Sequence, residues 1–323
     1  MPRSLFLPAL IALGVAACPP LARAQDSAGP ATEALPALPA EADTAPGNTL
    51  TQAPETNSGL ATYFSHWFDR VNQAQASQPS WMTPLVTITP RLEEEVRYDQ
   101  YWEKLPNGST VDNFDTGKGL ELIPTTTNEI IVAPPVYLLK TAKGRTVSGW
   151  GDGPTVLLKQ RLFSQNAAHG DRIVTAFLAV SGSAGGRHFT DHTTVITPTL
   201  AAGQGFGALD VQATTGVAIP MANLPGLGAQ WQNNVAFQAH VLQYFWPECE
   251  VNDTVWLNGS QRGGKNQVFL TPGIIFGRFP IAGRLKAILG VGYQFAISPK
   301  TQFSPEIVPL YNHNWILTAR MAF

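Results

Sequence analysis

The sequence predicts an all-β fold: a transmembrane antiparallel β-barrel of about twelve strands, preceded by a disordered linker and a short amphipathic helix. Three observations point to this fold. Apolar and polar residues alternate with a period of two over many segments from residue 84 onward, which is typical of strands with one apolar face. Only 14% of residues are charged although 44% are hydrophobic. The last residue, Phe323, follows apolar residues at alternate positions.

The composition excludes several classes of protein. A formal net charge of -2 offers no basic surface for nucleic acid. The charged fraction of 14% is well below the roughly 25% of ordinary soluble domains. A mean hydropathy of -0.02 is too low for a bundle of membrane helices, and no stretch after the N-terminus approaches the length of apolar sequence that such a helix needs.

Residues 1–24 predict a cleavable export signal. Arg3 gives a positive start, residues 5–17 form an apolar core, and residues 22–24 (Ala-Arg-Ala) fit a cleavage site with small residues. An alternative is open, because residues 15–18 end in Cys18 and resemble the lipid-attachment box of bacterial lipoproteins. Cleavage after residue 24 would leave Cys249 as a lone cysteine, so we expect no internal disulfide.

Two further segments precede the predicted barrel of residues 84–323. Residues 25–57 are rich in Ala, Pro and Thr and carry no Lys or Arg, which predicts a disordered linker. Residues 58–80 predict an amphipathic helix with an aromatic stripe. The stripe includes Leu60, Phe64, Trp67 and Phe68. We expect this helix to gate or plug the barrel, to rest on one end of it, or to lie in the membrane interface.

The alternating segments divide into twelve predicted strands. We place them near residues 86–102, 118–126, 129–139, 154–164, 172–183, 193–202, 208–219, 230–246, 248–257, 267–278, 284–297 and 313–323. An even number of strands returns both ends of the barrel to one side, as in bacterial outer-membrane barrels. We expect long loops at residues 105–117 and 141–153, and a bulge or early strand end at residues 134–135, because proline cannot donate to a strand ladder.

The polar faces of these strands supply the candidate functional residues. The candidates for the lumen lining are Arg91, Glu93, Glu95, Arg97, Asp99, Lys159, Arg161, Gln238, His240, Glu248, Glu250, Arg284, Lys286, Gln294 and Arg320. They could orient a solute along a polar pathway, or they could form salt bridges that fill and stiffen the barrel. Twelve strands lie between the eight that side chains can fill and the 16–18 of open porins. We therefore expect a narrow, largely occluded lumen.

The end of the sequence predicts the closing strand. Its apolar positions are Trp315, Leu317, Ala319, Met321 and Phe323. A terminal aromatic after alternate apolar residues looks like the signal that outer-membrane barrels present to their assembly machinery. Alternation alone fits a soluble sandwich as well, but aromatic residues cluster near the ends of the predicted strands, as they do in the interface girdles of membrane barrels.

Three glycine-containing segments resemble a known family. They are residues 149–153 (GWGDG), 271–279 (TPGIIFGRF) and 290–294 (GVGYQ). In this order, and with the C-terminal strand, they are similar to the outer-membrane proteins of the MetA pathway (phenol-degradation type) and to related barrel proteins described as transporters. The resemblance covers residues 84–323 and implies a β-barrel in the outer membrane.

The sequence therefore predicts a bacterial outer-membrane barrel that acts as a narrow channel or transporter for small molecules, including hydrophobic or organic ones. The alternatives are a closed barrel with a structural or partner-binding role and, less favoured, a lipid hydrolase. We predict no catalytic residues, because no nucleophile motif stands out, and no metal or cofactor. The expected partners are outer-membrane lipid, the barrel-assembly machinery and a small-molecule solute, with no nucleic acid.

Overall fold

The computed structural model describes residues 58–114, 118–186, 189–300 and 308–323. The predicted export signal (1–24) and linker (25–57) lie outside these residues. The described helices are all too short or too polar to cross a membrane.

The described strands form one antiparallel sheet that closes on itself. The strands are β1 (Glu95–Lys104), β2 (Thr110–Phe114), β3 (Gly119–Thr125), β4 (Asn128–Ala133), β5 (Tyr137–Ala142), β6 (Arg145–Trp150), β7 (Asp152–Gln165), β8 (Arg172–Ser183), β9 (Val195–Phe206), β10 (Leu209–Pro220), β11 (Gln230–Ala239), β12 (Phe245–Trp256), β13 (Asn266–Ala282), β14 (Leu285–Ser298) and β15 (His313–Ala322). Closure comes from β1, which pairs with β15 along its whole length and with β3 on its other edge.

The ring of this barrel has twelve positions, as predicted. It runs through β1, β3, β4 and β7 to β15, and every neighbouring pair is antiparallel. Strands β2, β5 and β6 lie beyond the ring, where they extend β3, β4 and β7. β5 pairs with both β2 and β6, and β2 also pairs with β1. We call these three strands the extension sheet. The predicted loops at residues 105–117 and 141–153 are therefore partly wrong, because each contributes a strand to this extension sheet. The interruption at residues 134–135 is confirmed, since β4 ends before it and β5 begins after it.

The burial pattern of the barrel is the reverse of that of a soluble protein. In β15, the inward residues Thr318 and Arg320 are buried, whereas the outward residues Trp315, Leu317 and Met321 are exposed. The same alternation runs through β1, where charged residues point inward and apolar ones outward. Polar groups therefore line the inside, and a band of apolar side chains surrounds the outside.

The first strand begins later than predicted. Residues 86–94 belong to no strand, and β1 starts at Glu95. Residues 77–94, which we call the inner loop, run inside the barrel with most of their side chains buried. The alternation of Arg91 and Glu93 suggests a strand, but Pro84 and Pro90 lack backbone donors. The loop instead obtains its hydrogen bonds from side chains of the barrel wall.

Two helices precede the inner loop, α1 (Ser58–Ser65) and α2 (Trp67–Ala76), and a short helix, α3 (Leu224–Leu227), follows β10. The inward face of α2 presents Val71 and Ala74, which are fully buried against Leu92 of the inner loop and Ile123 of β3. We call the end of the barrel near α2 the helix end and the opposite one the loop end. The start of β1 and the end of β15 also lie at the helix end, since Glu95 pairs with Ala322.

Candidate functional site

The inner loop is closed on itself by side-chain hydrogen bonds. The amide of Gln78 donates to the carbonyl of Leu92 at 2.8 Å and accepts from its backbone N–H at 2.9 Å. Arg91 donates to the carbonyl oxygens of Pro79, at 2.6 Å, and of Trp81. Its guanidinium also forms a salt bridge of 2.7 Å with Glu93. The loop is thus a folded unit inside the lumen rather than a loose strand.

Basic side chains of the wall donate to the carbonyl groups of the inner loop. The donors at the tip of the loop are Arg97 (to Pro84 at 3.1 Å and Leu85 at 2.6 Å), Arg320 (to Thr83 at 2.6 Å and Pro84 at 2.9 Å) and Lys118 (to Leu85 and Val86, both at 3.2 Å). Nearer the helix end, Lys159 donates to Arg91 at 3.0 Å and Arg278 donates to Ser80 at 2.7 Å. Arg161 donates to the carbonyl of Ala74 in α2 at 2.8 Å and to the hydroxyl of Ser77 in the inner loop at 2.9 Å. These cations therefore hold peptide groups as well as counter-charges.

Carboxylates of the wall accept from the backbone donors of the same loop. Glu250 accepts from the N–H groups of Val86 at 2.7 Å and Thr87 at 2.6 Å. Glu248 accepts from Leu85 at 3.0 Å, and Glu129 accepts from the N–H of Glu93 at 2.6 Å. Buried backbone groups without a partner strand need such acceptors. Hydrogen bonds to charged groups are also the stronger kind.

A glycine socket receives the apolar tip of the inner loop. Leu85 is fully buried beside Gly273, Gly290 and Gly292 of β13 and β14. A Cβ atom at these glycines would lie only 2.4, 2.8 and 2.7 Å from a methyl group of Leu85. Side chains larger than hydrogen would therefore push the leucine away from the wall. Around the socket, Leu85 packs in a buried cluster with Met82, Trp246, Ile275 and Ile288.

The helix end is closed by α2 and by Glu94, the last residue of the inner loop. Its carboxylate accepts from the indole N–H of Trp67 at 2.6 Å and from the backbone N–H of Ile123 at 2.6 Å. Burial raises the pKa of the Glu94 carboxyl above its ordinary value, and these two hydrogen bonds oppose the rise. In contrast, Leu60, Phe64 and Phe68 are exposed on the outer face of the helices. The segment inside the lumen is the inner loop and not this stripe.

The predicted lumen residues fall into three groups. Ten lie buried on the inner wall: Glu95, Arg97, Asp99, Lys159, Arg161, Gln238, Glu248, Glu250, Gln294 and Arg320. Arg91 and Glu93 are buried on the inner loop instead. His240, Arg284 and Lys286 lie at the rim of the helix end, because β11 ends at Ala239 and β14 begins only at Leu285. There, His240 stacks on Trp246 with ring centroids 4.2 Å apart, and Arg284 donates to Asn72 at 2.6 Å.

Sequence reasoning missed several residues that hold the inner loop. Gln212 accepts from the hydroxyl of Thr89 at 2.7 Å and donates to the carbonyl of Met82 at 2.9 Å. Its alternation with Asp210 and Thr214 in a predicted strand marks its inward face. Lys118 directly precedes β3 and carries no such signal.

A cavity of about 460 Å³ lies between the tip of the inner loop and the loop end. Its charged lining residues are Arg97, Lys118, Glu121 and Lys159. Threonine, asparagine and glutamine side chains dominate the wall formed by β9 to β14, whereas Ile131, Leu157 and Phe177 line the wall formed by β4, β7 and β8. Small-molecule sites commonly have volumes of about 300–1,000 Å³. The cavity is therefore large enough for a small molecule.

Comparison with solved structures finds outer-membrane proteins. The NanC porin has a TM-score of 0.42 and 8% sequence identity, covering 71% of this chain and 98% of that one. Outer-membrane OmpT of Vibrio cholerae has a TM-score of 0.38 and 9% identity, covering 71% and 96%. No family model and no curated protein matches this chain. Such distant likeness carries no functional argument, and the MetA-pathway resemblance stays a prediction.

The first prediction concerns the backbone donors at the tip of the inner loop. Glu250→Gln removes the charge that the N–H groups of Val86 and Thr87 donate to. A hydrogen bond to a charged group contributes about 1.5–3 kcal/mol, so we expect these two amides to exchange with deuterium about 10- to 100-fold faster. Hydrogen exchange followed by mass spectrometry measures this rate. Asp112→Asn in the extension sheet is the control, and equal protection of the loop in both variants would contradict the assignment.

Proposed function

We propose that this protein is a bacterial outer-membrane channel or transporter for small organic molecules, and that its own inner loop closes the lumen. The observation that carries this proposal is a polar barrel interior divided into two parts. The half at the helix end is filled by the inner loop, and the other half contains the cavity of about 460 Å³. A chain that only needed a rigid core would have no use for that space.

The outer surface supports a location in a membrane. Exposed apolar side chains surround the ring, including Val96, Leu158, Leu178, Leu200 and Val291. Contiguous apolar patches on soluble monomers rarely exceed a few hundred Å², and such a belt would aggregate in water. Lipid is the solvent that matches an apolar outer face around a polar interior.

Aromatic residues mark both rims of this apolar belt. Trp102, Trp231 and Trp315 are exposed toward the loop end, and Phe276 and Phe279 are partly exposed toward the helix end. Membrane barrels carry such girdles where the chain meets the headgroups. Because the first ring strand begins and the last ring strand ends at the helix end, the proposal places that end in the periplasm and the loop end outside the cell. The export signal and the C-terminal assembly signal remain predictions.

The way the inner loop is held suits a part that can move. Apolar contacts hold it at the Leu85 cluster, at Leu92 and at Ile88, and most of its remaining contacts are hydrogen bonds between wall side chains and loop peptide groups. Water can replace such hydrogen bonds when the loop moves, so the net cost of breaking each one is modest. Ring strands are paired on both edges and lack this freedom. Displacement of the inner loop would join the cavity to the periplasm.

A partner-binding role is the second candidate function. The observation in its favour is the extension sheet of β2, β5 and β6, which projects beyond the ring at the loop end. In the described residues, β6 pairs only with β5, and its Val147 and Trp150 are exposed. A free strand edge with apolar residues is a template for another chain. Neither role needs a catalytic step, and we propose none.

Flux through the protein tests the closure of the lumen. The double variant Glu250→Gln/Arg320→Gln loosens the tip of the inner loop, so we expect faster entry of small uncharged solutes into proteoliposomes than with the unchanged chain. Liposome swelling measures the rate. The double variant Asp112→Asn/Lys140→Gln removes the same charge types from the extension sheet and should leave the flux unchanged. Unaltered flux from the first variant, with its loop shown to be released by hydrogen exchange, would contradict the proposal.

The membrane assignment predicts opposite outcomes for arginine on the two faces of the wall. Val291→Arg places a charge on the outer face of β14, where we expect a cost of about 2–4 kcal/mol near the bilayer midplane. Thr199→Arg places it on the cavity side of β9, where water and space are available. The yield of folded protein in the outer membrane measures the difference. Equal yields of both variants would show that the outer face does not contact lipid.

A further inference from the structure

We propose that the cavity binds an uncharged, hydroxyl-rich molecule of the size of a mono- or disaccharide at the loop end. This inference rests on the proposed function and names the class of solute. It follows from three features of the cavity: a polar wall with unused hydrogen-bonding groups, an apolar cluster on the opposite wall, and charged groups that are paired within the protein or buried.

The polar wall begins with a continuous chain of side-chain hydrogen bonds. It joins residues of β10, β11, β12, β14 and β15 in one line across the wall. Asn234 donates to Thr214 at 3.1 Å, Asn252 to Asn234 at 3.1 Å, Gln294 to Asn252 at 2.9 Å, and Asn314 to Gln294 at 3.0 Å. This chain fixes the amide orientations of its members, although Oδ1 of Asn314 is buried without a hydrogen-bond partner among the described residues. It forms a rigid base for a second row of residues that lies nearer the loop end.

A second row of residues, nearer the loop end than this chain, offers free hydrogen-bonding groups. Thr199, Gly216, Gln232, Thr254 and Gln267 are successive cross-strand partners on β9 to β13, and all of them line the cavity. Within the part of the chain that the structure describes, the side chains of Thr199, Gln232 and Thr254 form no hydrogen bond. Only Gln267 is engaged, accepting from the N–H of Leu310 at 3.0 Å. Two hydroxyls and an amide therefore face the cavity in a row.

The opposite wall carries an apolar cluster, next to the hydrogen-bonded pair of Thr155 and Ser181. Ile131, Leu157 and Phe177 pack there as one buried cluster, and Ile88 of the inner loop packs against them. On the polar side, toward the loop end, Phe269 of β13 and Tyr311 stack with ring centroids 4.5 Å apart and also line the cavity. A sugar ring presents C–H groups on its faces and hydroxyl groups at its edge. It could lie with a face on the apolar side and its edge toward the row of free groups.

Three of the four charged residues that line the cavity are engaged by the protein itself. Arg97 contacts Asp99 at 2.9 Å, Lys159 contacts Glu129 at 2.8 Å, and Lys118 donates to the inner loop. The remaining charged residue of the lining, Glu121, is only 2% exposed. A charged solute would lose hydration without gaining a free counter-charge. A wholly apolar solute would leave the polar row dehydrated and unpaired. An uncharged polyol avoids both costs.

Calorimetric titration of the refolded protein tests this inference. The detergent must be an amine oxide, because the sugar headgroups of glycosidic detergents would compete. Maltose and glucose are the test ligands, gluconate is a charged counterpart, and toluene is an apolar one. We expect binding of a sugar, and about tenfold weaker binding by Gln232→Leu or Thr254→Val, as expected for the loss of one hydrogen bond. Thr215→Val, on the outer face of β10, is the matched control.

The outcomes separate this inference from the proposed function. Sugar binding that both cavity variants weaken supports it. Equal binding of gluconate, binding of toluene alone, or no binding of either sugar would overturn it. So would sugar binding that Gln232→Leu, Thr254→Val and Thr215→Val leave equally strong. Flux in proteoliposomes is measured independently. Flux without sugar binding would therefore keep the channel and remove this solute class, whereas sugar binding without flux in the loosened variant would keep the site and remove the channel.

Discussion

The structure depends on one constraint: a stretch of chain without a partner strand lies inside the barrel, and its peptide groups must still be hydrogen-bonded. The wall meets this need with charged side chains. Arg97 and Arg320 donate to carbonyl groups of the inner loop, while Glu248 and Glu250 accept from its N–H groups. The charged side chains of the wall could look like a path for ions, but most of them bind peptide groups of the inner loop. The same contacts make the loop separable from the wall, because none of them belongs to the strand ladder.

The two halves of the lumen follow from this arrangement. Where the inner loop lies, the wall is charged and glycines admit Leu85. Beyond its tip, the wall changes to hydroxyls and amides on one side and apolar residues on the other, and a cavity remains. In the proposed channel, the inner loop would form the barrier, and the cavity between its tip and the loop end would select which solutes reach the barrier.

Much of the barrel could be predicted because the alternation of polar and apolar residues can be recognised within a single strand. Alternation along one strand shows both faces, and each of the twelve predicted strands overlaps a ring strand, although the one predicted at residues 230–246 runs past the end of β11 into β12. The inner loop could not be predicted in this way, since Arg91 and Glu93 have strand-like spacing but bind across the lumen. Residues such as Lys118 and Gln212 gain their roles from partners far away in sequence, such as Leu85 and Thr89. The rim positions of His240, Arg284 and Lys286 depend on where strands end, which alternation defines poorly.

The most direct test of the central claim is single-channel current in planar bilayers for the protein without residues 25–94. Because β1 begins at Glu95, this deletion leaves every strand of the ring in place while it removes the inner loop and both helices before it. The account predicts a larger and steadier current than that of the protein without its predicted export signal alone. If a truncated barrel that is shown to be folded and inserted carried the same current as the longer chain, the inner loop would not be what closes the lumen.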